Sequence, residues 1–236
     1  MPLGGSIVNG YRSTDGNGFR DGLRRQLIAD DARVNMIGSK KTGAMIDNDN
    51  GGWPGYVIAQ TFHTTDYSIP SQPNVVLLHV GSNDMTVDDA AATSTAHLRL
   101  ATIIDKLFDS ISGVTIIAST LLPRIDPTIN ARTQIYNGNI PGVVQQRQRQ
   151  GKKILYVDFS SSWFSTADIH ADDGLHPTDA EYLKMATVWN EGIQLTHTQG
   201  WLTPPNAVPG LSDTVNDPLD LIIQRVVTLL GISMVK

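Results

Sequence analysis

Short apolar runs without helical spacing recur along the chain. Residues 75–80 form the clearest run, and six such positions in a row are typical of a strand that is covered on both faces. Residues 34–37, 114–118 and 154–157 form further runs, and residues 1–3 have the composition of a strand end. This pattern predicts about five strands.

Between these runs, apolar positions follow the spacing of a helix face. Thr178 followed by Glu181 is a capping-box pattern that predicts the start of the last helix of this part of the chain. The helix-forming positions are Phe19, Leu23 and Leu27; Leu100, Ile103, Ile104, Leu107, Phe108 and Ile111; and Tyr182, Met185, Ala186, Trp189 and Ile193. Alternating strands and helices predict an α/β fold with a parallel sheet and helices on both faces.

Segments rich in Asn, Asp, Gly and Pro predict the loops. Residues 42–55 and 121–127 are expected to be irregular, and residues 199–217 are expected to be a connector. An amphipathic helix is predicted for 218–236, with Asp217 as its cap. Such a helix is marginal alone, so we expect it to dock on the preceding domain. Pairing with a second chain is the alternative, and the sequence leaves the oligomeric state open.

Composition narrows the class of function. The 236 residues carry a net charge of −5 and no cysteine, which excludes disulfides and thiolate metal sites. The basic pairs Arg24-Arg25 and Lys40-Lys41 are expected to be solvated surface, so no nucleic-acid partner is predicted. Membrane insertion is not expected either, because no apolar stretch approaches the roughly 20 residues of a spanning helix. The sequence also lacks a recognisable signal peptide.

Ser6, Asp173 and His176 are candidates for nucleophilic catalysis. Ser6 follows the first predicted strand, and catalytic groups in open α/β sheets lie beyond the carboxyl ends of strands. Asp173 precedes His176 by three residues and could orient the imidazole of a general base. Asp172 competes for that role, and a plain turn serine is the alternative for Ser6.

Two further segments could supply hydrogen-bond donors. Asn83 follows the strongest strand, so its side-chain amide could bind a developing oxyanion, although an Asx turn is an equal alternative. Residues 51–56 include three glycines, which allow a backbone N–H to approach a ligand closely, or simply form a flexible surface loop.

Taken together, these segments resemble the conserved blocks of the SGNH (GDSL-like) hydrolases in order and residue type. The matching strings are Gly4-Gly5-Ser6, Gly52-Trp53-Pro54-Gly55, Gly81-Ser82-Asn83-Asp84 and Asp173-Gly174-Leu175-His176. The resemblance covers residues 1–198 and is strongest to the carbohydrate-esterase branch, including acetylxylan esterases. It implies a three-layer α/β/α, flavodoxin-like domain.

The resemblance also implies a mechanism. Ser6 would be the nucleophile, His176 its base and Asp173 the group that orients the base, with an oxyanion hole formed by Ser6, Gly52 and Asn83. No cofactor and no metal are implied, and the six histidines show no metal-ligand pair at helical spacing. The sequence departs from the family at Gly5, where an Asp is usual.

For the substrate, we expect a small acyl ester, above all acetyl, on a carbohydrate. Trp53, Tyr56 and Trp163 lie in or near the matched loops and could stack on sugar rings, although ordinary packing would also explain them. A lipid or thioester hydrolase is one alternative, and a non-catalytic carbohydrate-binding protein on this scaffold is another. The resemblance further implies a secreted protein.

Overall fold

The computed structural model describes residues 1–211. These residues form one six-stranded sheet in the order β2-β3-β1-β4-β5-β6, in which β2 alone runs antiparallel to its neighbour. The strands are β1 (Pro2–Gly4), β2 (Lys40–Lys41), β3 (Asp49–Gly52), β4 (Val75–His79), β5 (Thr115–Ser119) and β6 (Ile154–Val157). The predicted α/β class is therefore confirmed, with five parallel strands and one short antiparallel edge strand.

Helices cover both faces of the sheet. They are α1 (Ser6–Asn9), α2 (Phe19–Ala29), α3 (Ile58–Ser68), α4 (Ala90–Ser94), α5 (Ala96–Ser110), α6 (Pro127–Gln148) and α7 (Asp179–Thr198). One buried cluster joins the sheet to α3, α5 and α6, and a second joins it to α2 and α7. Along β4, Val76 and Leu78 belong to the first cluster and Leu77 to the second, as the two-residue period of a strand requires.

Two local predictions are wrong. Residues 34–37 form no strand; instead, Met36 is buried against the second cluster, with its N–H bonded to the Asp47 side chain at 2.8 Å. The segment 42–55 is not purely a loop, because it contains β3. The sequence of β3, Asp-Asn-Gly-Gly, has no apolar pattern, and glycine is required at its end because a Cβ on Gly52 would clash with the backbone nitrogen of Asn9.

Arg24 corrects a third prediction. It is buried rather than solvated, and its Nε lies 2.9 Å from Asp47 Oδ2, whereas its neighbour Arg25 is exposed beside Asp21. A buried guanidinium is tolerated when it is paired and hydrogen-bonded. The pair ties α2 to the loop that leads into β3.

The chain crosses the amino ends of the strands after α7. The Trp201 carbonyl accepts hydrogen bonds from Lys153 at 2.9 Å and Thr115 at 3.2 Å, and the Thr203 carbonyl accepts one from Asn74 at 2.8 Å. The predicted helix 218–236 lies outside the described residues, and the predicted boundaries at 198 and 217 stay predictions. None of the helices within residues 1–211 is long and apolar enough to cross a membrane.

Candidate active site

Ser6 lies at the carboxyl end of β1 and is the first residue of α1. The first N–H groups of a helix have no partner within the helix, so the Ser6 N–H is available to a ligand. Gly5, as the cap residue, has φ −98° and ψ −145°, and Ser6 itself is only 7% exposed. The turn therefore presents the hydroxyl and the amide of one residue from a fixed position.

His176 contacts Ser6 with one ring nitrogen and Asp173 with the other. The distance from His176 Nε2 to Ser6 Oγ is 2.8 Å, and that from His176 Nδ1 to Asp173 Oδ2 is also 2.8 Å. An ionised carboxylate only accepts hydrogen bonds, so the proton belongs on Nδ1 and Nε2 is free to accept from the serine. The three side chains predicted from the sequence thus form one continuous hydrogen-bonded triad.

Asp173 is held as a carboxylate. Burial alone would raise its pKa, but the amides of His176 and Leu175 donate to its Oδ1 at 3.0 and 2.9 Å, and together with the imidazole they lower the pKa to about 2. The competing candidate, Asp172, is exposed and binds Arg12 through both oxygens at 2.7 and 2.6 Å. The structure therefore brings Asp173, and not Asp172, to the histidine.

Burial also tunes His176. The residue is 8% exposed, and this desolvation lowers its pKa below 6.5 despite the opposing effect of Asp173. The positive charges of Arg124 and Arg12 act in the same direction as burial. His176 is consequently neutral at pH 7, which is the form that can take a proton from serine.

Asn83 reaches the same region from the loop after β4. Its Nδ2 donates to the Tyr56 carbonyl at 2.9 Å, and it lies 3.7 Å from the position that a Cβ on Gly5 would occupy. An amide nitrogen carries two N–H groups, so one remains for a ligand. The Asn83 amide is therefore bonded to the loop after β3 and lies beside the turn that holds the nucleophile.

Gly52 is placed differently from the sequence prediction. Its N–H donates to Asn50 Oδ1 at 2.9 Å, the two-residue Asx pattern, and a Cβ on Gly52 would clash with the backbone nitrogen of Asn9. Gly55 is exposed at φ +80°, and its N–H has no hydrogen-bond partner within residues 1–211. The free glycine amide of this loop is thus three residues beyond the predicted one.

The aromatic candidates fall into two places. Trp53 and Tyr56 pack on each other beside the nucleophile turn, with ring centroids 5.3 Å apart, and the backbone N–H of Trp53 donates to the Gly4 carbonyl. Lys40 lies over the Trp53 ring at 3.7 Å. Trp163 is 48% exposed, and its ring packs against Phe164 rather than against the triad.

A small cavity adjoins Ser6. It measures about 10 Å³, and its lining includes Gly5, Ser6, Tyr56, His79 and Asn83. This is room for one water-sized group. His79 is a buried histidine of the core, whose Nδ1 lies 2.7 Å from Ser119 Oγ, and burial lowers its pKa to about 4.

Arg124 is a site neighbour that the sequence pattern did not reveal. It follows β5, is 6% exposed, and its guanidinium donates to the carbonyls of Ser82 and Gly174, each at 3.2 Å. A single arginine in a loop has no spacing that distinguishes it from a surface residue. Only the fold shows that it lies between Asn83 and His176.

Comparison with known proteins identifies the family. Residues 3–183 match the model of the GDSL-like Lipase/Acylhydrolase family. The chain belongs to this family. The resemblance of its motifs to GDSL-like hydrolases is thereby confirmed, and so is the fold class.

Among solved structures, the GDSL-like chain is similar to a family 3 carbohydrate esterase of Clostridium thermocellum. The two are 28% identical with a TM-score of 0.72, over 84% of this chain and 96% of that one. A family 3 carbohydrate esterase from Talaromyces cellulolyticus is 20% identical with a TM-score of 0.68, over 84% and 97%, which shows the shared fold.

Sequence relatives are longer proteins. A Ruminococcus flavefaciens protein named "Multidomain esterase" is 28% identical over 232 residues, which cover 82% of this chain and 28% of that protein. An Acetivibrio thermocellus protein is 32% identical over 118 residues, 50% of this chain and 48% of that one. The GDSL-like chain therefore spans half or less of the length of these relatives.

Proposed function

We propose that this protein is a serine esterase that removes acetyl groups from a carbohydrate through an acyl-enzyme intermediate. The observation that carries the proposal is the triad of Ser6, His176 and Asp173, with both hydrogen bonds at 2.8 Å. Membership of an acylhydrolase family supports ester cleavage, and the similarity to carbohydrate esterases supports the sugar substrate.

In the first step, Ser6 Oγ attacks the ester carbonyl while its proton passes to His176 Nε2. Asp173 stabilises the imidazolium that forms but stays ionised, as its low pKa requires. His176 then gives the proton to the departing sugar oxygen. A water molecule, deprotonated by the same imidazole, releases acetate and restores the serine.

Three donors would hold the oxyanion during both steps. They are the Ser6 N–H at the start of α1, the second N–H of the Asn83 amide, and the N–H of Gly55 in place of that of Gly52. The last assignment follows from the commitment of the Gly52 N–H to Asn50. Loss of one such donor typically lowers kcat by about 10²–10³-fold.

The small cavity beside Ser6 supports a preference for short acyl groups. About 10 Å³ accommodates a methyl-sized group, so acetyl is favoured over longer chains. Because polymeric xylan cannot enter a cell, a xylan substrate would also require secretion.

The deciding experiment compares 4-nitrophenyl acetate, 4-nitrophenyl octanoate and acetylated xylan as substrates. We expect rapid release of acetate from the first and third, and at least about tenfold lower kcat/KM on octanoate. Ser6→Ala should abolish all hydrolysis, while the control Ser112→Ala, an exposed turn serine on the opposite edge, should leave it unchanged. Equal rates on octanoate would favour a lipid hydrolase, and no hydrolysis by the parent would favour a carbohydrate-binding protein.

A further inference from the structure

Arg124 connects two loops that are far apart in sequence. Its Nε donates to the carbonyl of Gly174, which lies between Asp173 and His176, and its Nη1 donates to the carbonyl of Ser82, which precedes Asn83. The base and an oxyanion donor are therefore both one or two residues away from carbonyls held by a single guanidinium.

The backbone of Arg124 is itself anchored. Its N–H donates to Asn130 Oδ1 on α6 at 3.0 Å, and the next N–H, that of Ile125, donates to the Gly174 carbonyl at 3.3 Å. Hydrogen bonds thus hold Arg124 both at its backbone and at its guanidinium. Its rigid planar fork holds two bonds in a fixed geometry, whereas the ammonium group of a lysine is a point charge on a flexible stem.

Burying the charged guanidinium of Arg124 costs solvation free energy, which is unfavourable if the residue only supports the fold. Arg124 is 6% exposed, desolvation lowers its pKa, and within residues 1–211 no carboxylate lies within ion-pair distance of it. Hydrogen bonds from a charged donor are stronger in such surroundings than in water. The carboxylates of Asp173 and Asp126 attract the cation only from a longer distance, so Arg124 stiffens the site at the expense of its own solvation.

We propose that Arg124 is a positioning residue, which sets the separation between the oxyanion donor Asn83 and the base His176. This inference rests on the esterase function proposed above. In the tetrahedral intermediate, Asn83 must bind the oxyanion while the imidazolium of His176 donates its proton. The distance between the loops that carry these two residues must therefore stay fixed. Misplacement of a reacting group by about 1 Å can lower the rate about 100-fold.

Arg124 also affects the charge of His176. The groups that act on this imidazole are Asp173, which raises its pKa, and Arg124 and Arg12, which lower it, while the Tyr11 ring packs edge-on at 4.8 Å. Arg12 is partly exposed and paired with Asp172, so its field is screened. Arg124 is the buried cation of the group, and removing it should raise the pKa of His176.

The test compares Arg124→Met, which removes the charge and both bonds, with Arg124→Lys, which keeps the charge but not the fork. The matched control is Arg132→Met, because Arg132 binds the carbonyls of Met85 and Val87 in the same loop but does not reach Gly174. With 4-nitrophenyl acetate, we expect kcat to fall about 30-fold or more in Arg124→Met with KM within about threefold, and about tenfold in Arg124→Lys.

The pH profile separates positioning from general loss of structure. The acidic limb of kcat/KM should move to higher pH in Arg124→Met and stay in place in Arg124→Lys, and NMR titration of His176 should follow the same order. A kcat in both Arg124 variants within threefold of Arg132→Met, or an unmoved limb in Arg124→Met, would overturn the proposal. A wild-type enzyme without activity would instead refute the esterase function. If Arg124→Met does not fold, Arg124→Lys is the deciding variant. Its kcat should be about tenfold lower, and the acidic limb of its pH profile should stay in place.

Discussion

The side-chain oxygen of Asn50 accepts the N–H of Gly52 at 2.9 Å. This contact occupies the Gly52 amide, which is why the Gly55 amide is proposed above as the oxyanion donor of this loop. Asn50 is fully buried, and its Nδ2 also donates to Thr42 Oγ1 at 2.9 Å. The hydrogen bond between Asn50 and Gly52 therefore stabilises the loop. This predicts a structural role for Asn50 and opposes the expectation from the sequence that the Gly52 N–H binds the oxyanion.

Asn50→Ala should lower stability but preserve catalysis in the molecules that remain folded. Buried polar groups that lose their partner cost about 1–3 kcal/mol each, so the melting temperature should fall by several degrees. We expect kcat on 4-nitrophenyl acetate to stay within about threefold at 20 °C below that melting point. The half-buried Asn139 on α6 provides the control, as Asn139→Ala should change neither quantity. A large change in kcat without a change in stability would return the oxyanion role to Gly52.

Asn83→Ala should act in the opposite way. The side chain contributes one bond to the Tyr56 carbonyl, so the loss of stability should be about 1 kcal/mol. The loss of an oxyanion donor should reduce kcat by about 10²–10³-fold with little change in KM. Steady-state kinetics with thermal melting would check both, and a reduction in kcat of less than tenfold would exclude Asn83 from the oxyanion hole.

The pH dependence of kcat/KM should report His176. Only the neutral imidazole can accept the serine proton, so activity is lost as pH falls through its pKa. Because burial and the nearby arginines lower that pKa, the midpoint of the acidic limb should lie below pH 6.5. Initial rates on an acetyl ester between about pH 4 and 8 would test this, and a midpoint above 6.5 would show that the charge of Asp173 outweighs burial.

Gly5 can accommodate a side chain. A Cβ there would meet Asn83 Nδ2 at 3.7 Å and the carbonyl oxygens of Trp53 and Tyr56 at 3.9 Å, all ordinary contact distances. Gly5→Ala should therefore be neutral or stabilising by about 0.4–1 kcal/mol, through a less flexible unfolded chain. Gly5→Asp, which restores the residue usual in the family, should retain activity and melt at least as high as Gly5→Ala if its carboxylate leaves the second N–H of Asn83 free for the oxyanion. A lower melting temperature in both variants would mean that the turn tolerates only glycine.

Much of the fold could be predicted because its inner strands are buried on both faces. The apolar runs at 75–80, 114–118 and 154–157 coincide with β4, β5 and β6 to within one residue at each end. The strand β3 was not predictable in this way, since glycines satisfy its close packing and give no hydrophobic signal. The run at 34–37 shows the converse, because apolar residues pack on the sheet there without joining it.

The residues of the candidate site also differ in whether the sequence could predict them. Ser6, Asp173 and His176 could be predicted because each lies in a short motif whose members meet locally or at the ends of neighbouring strands. Arg124 could not, because its contacts join two loops that the sequence does not pair. The proposed choice of Gly55 over Gly52 could not be made either, since it depends on the hydrogen bond from the Gly52 N–H to Asn50. The helix α6 was not predicted either; it is rich in Gln, Asn and Arg and contains Pro141, so its buried face is weakly patterned.

The segment after α7, residues 199–211, offers a position at which the domain can be attached to a surface. Residues 199–211 run along the amino ends of β4, β5 and β6, and Leu211 lies near Met1 and Asn74, whereas the nucleophile lies beyond the carboxyl ends of the strands. Residues 199–211 therefore lie on the side of the domain that faces away from the triad. A label or a surface attached to this segment would leave the approach to Ser6 open to a long polymer.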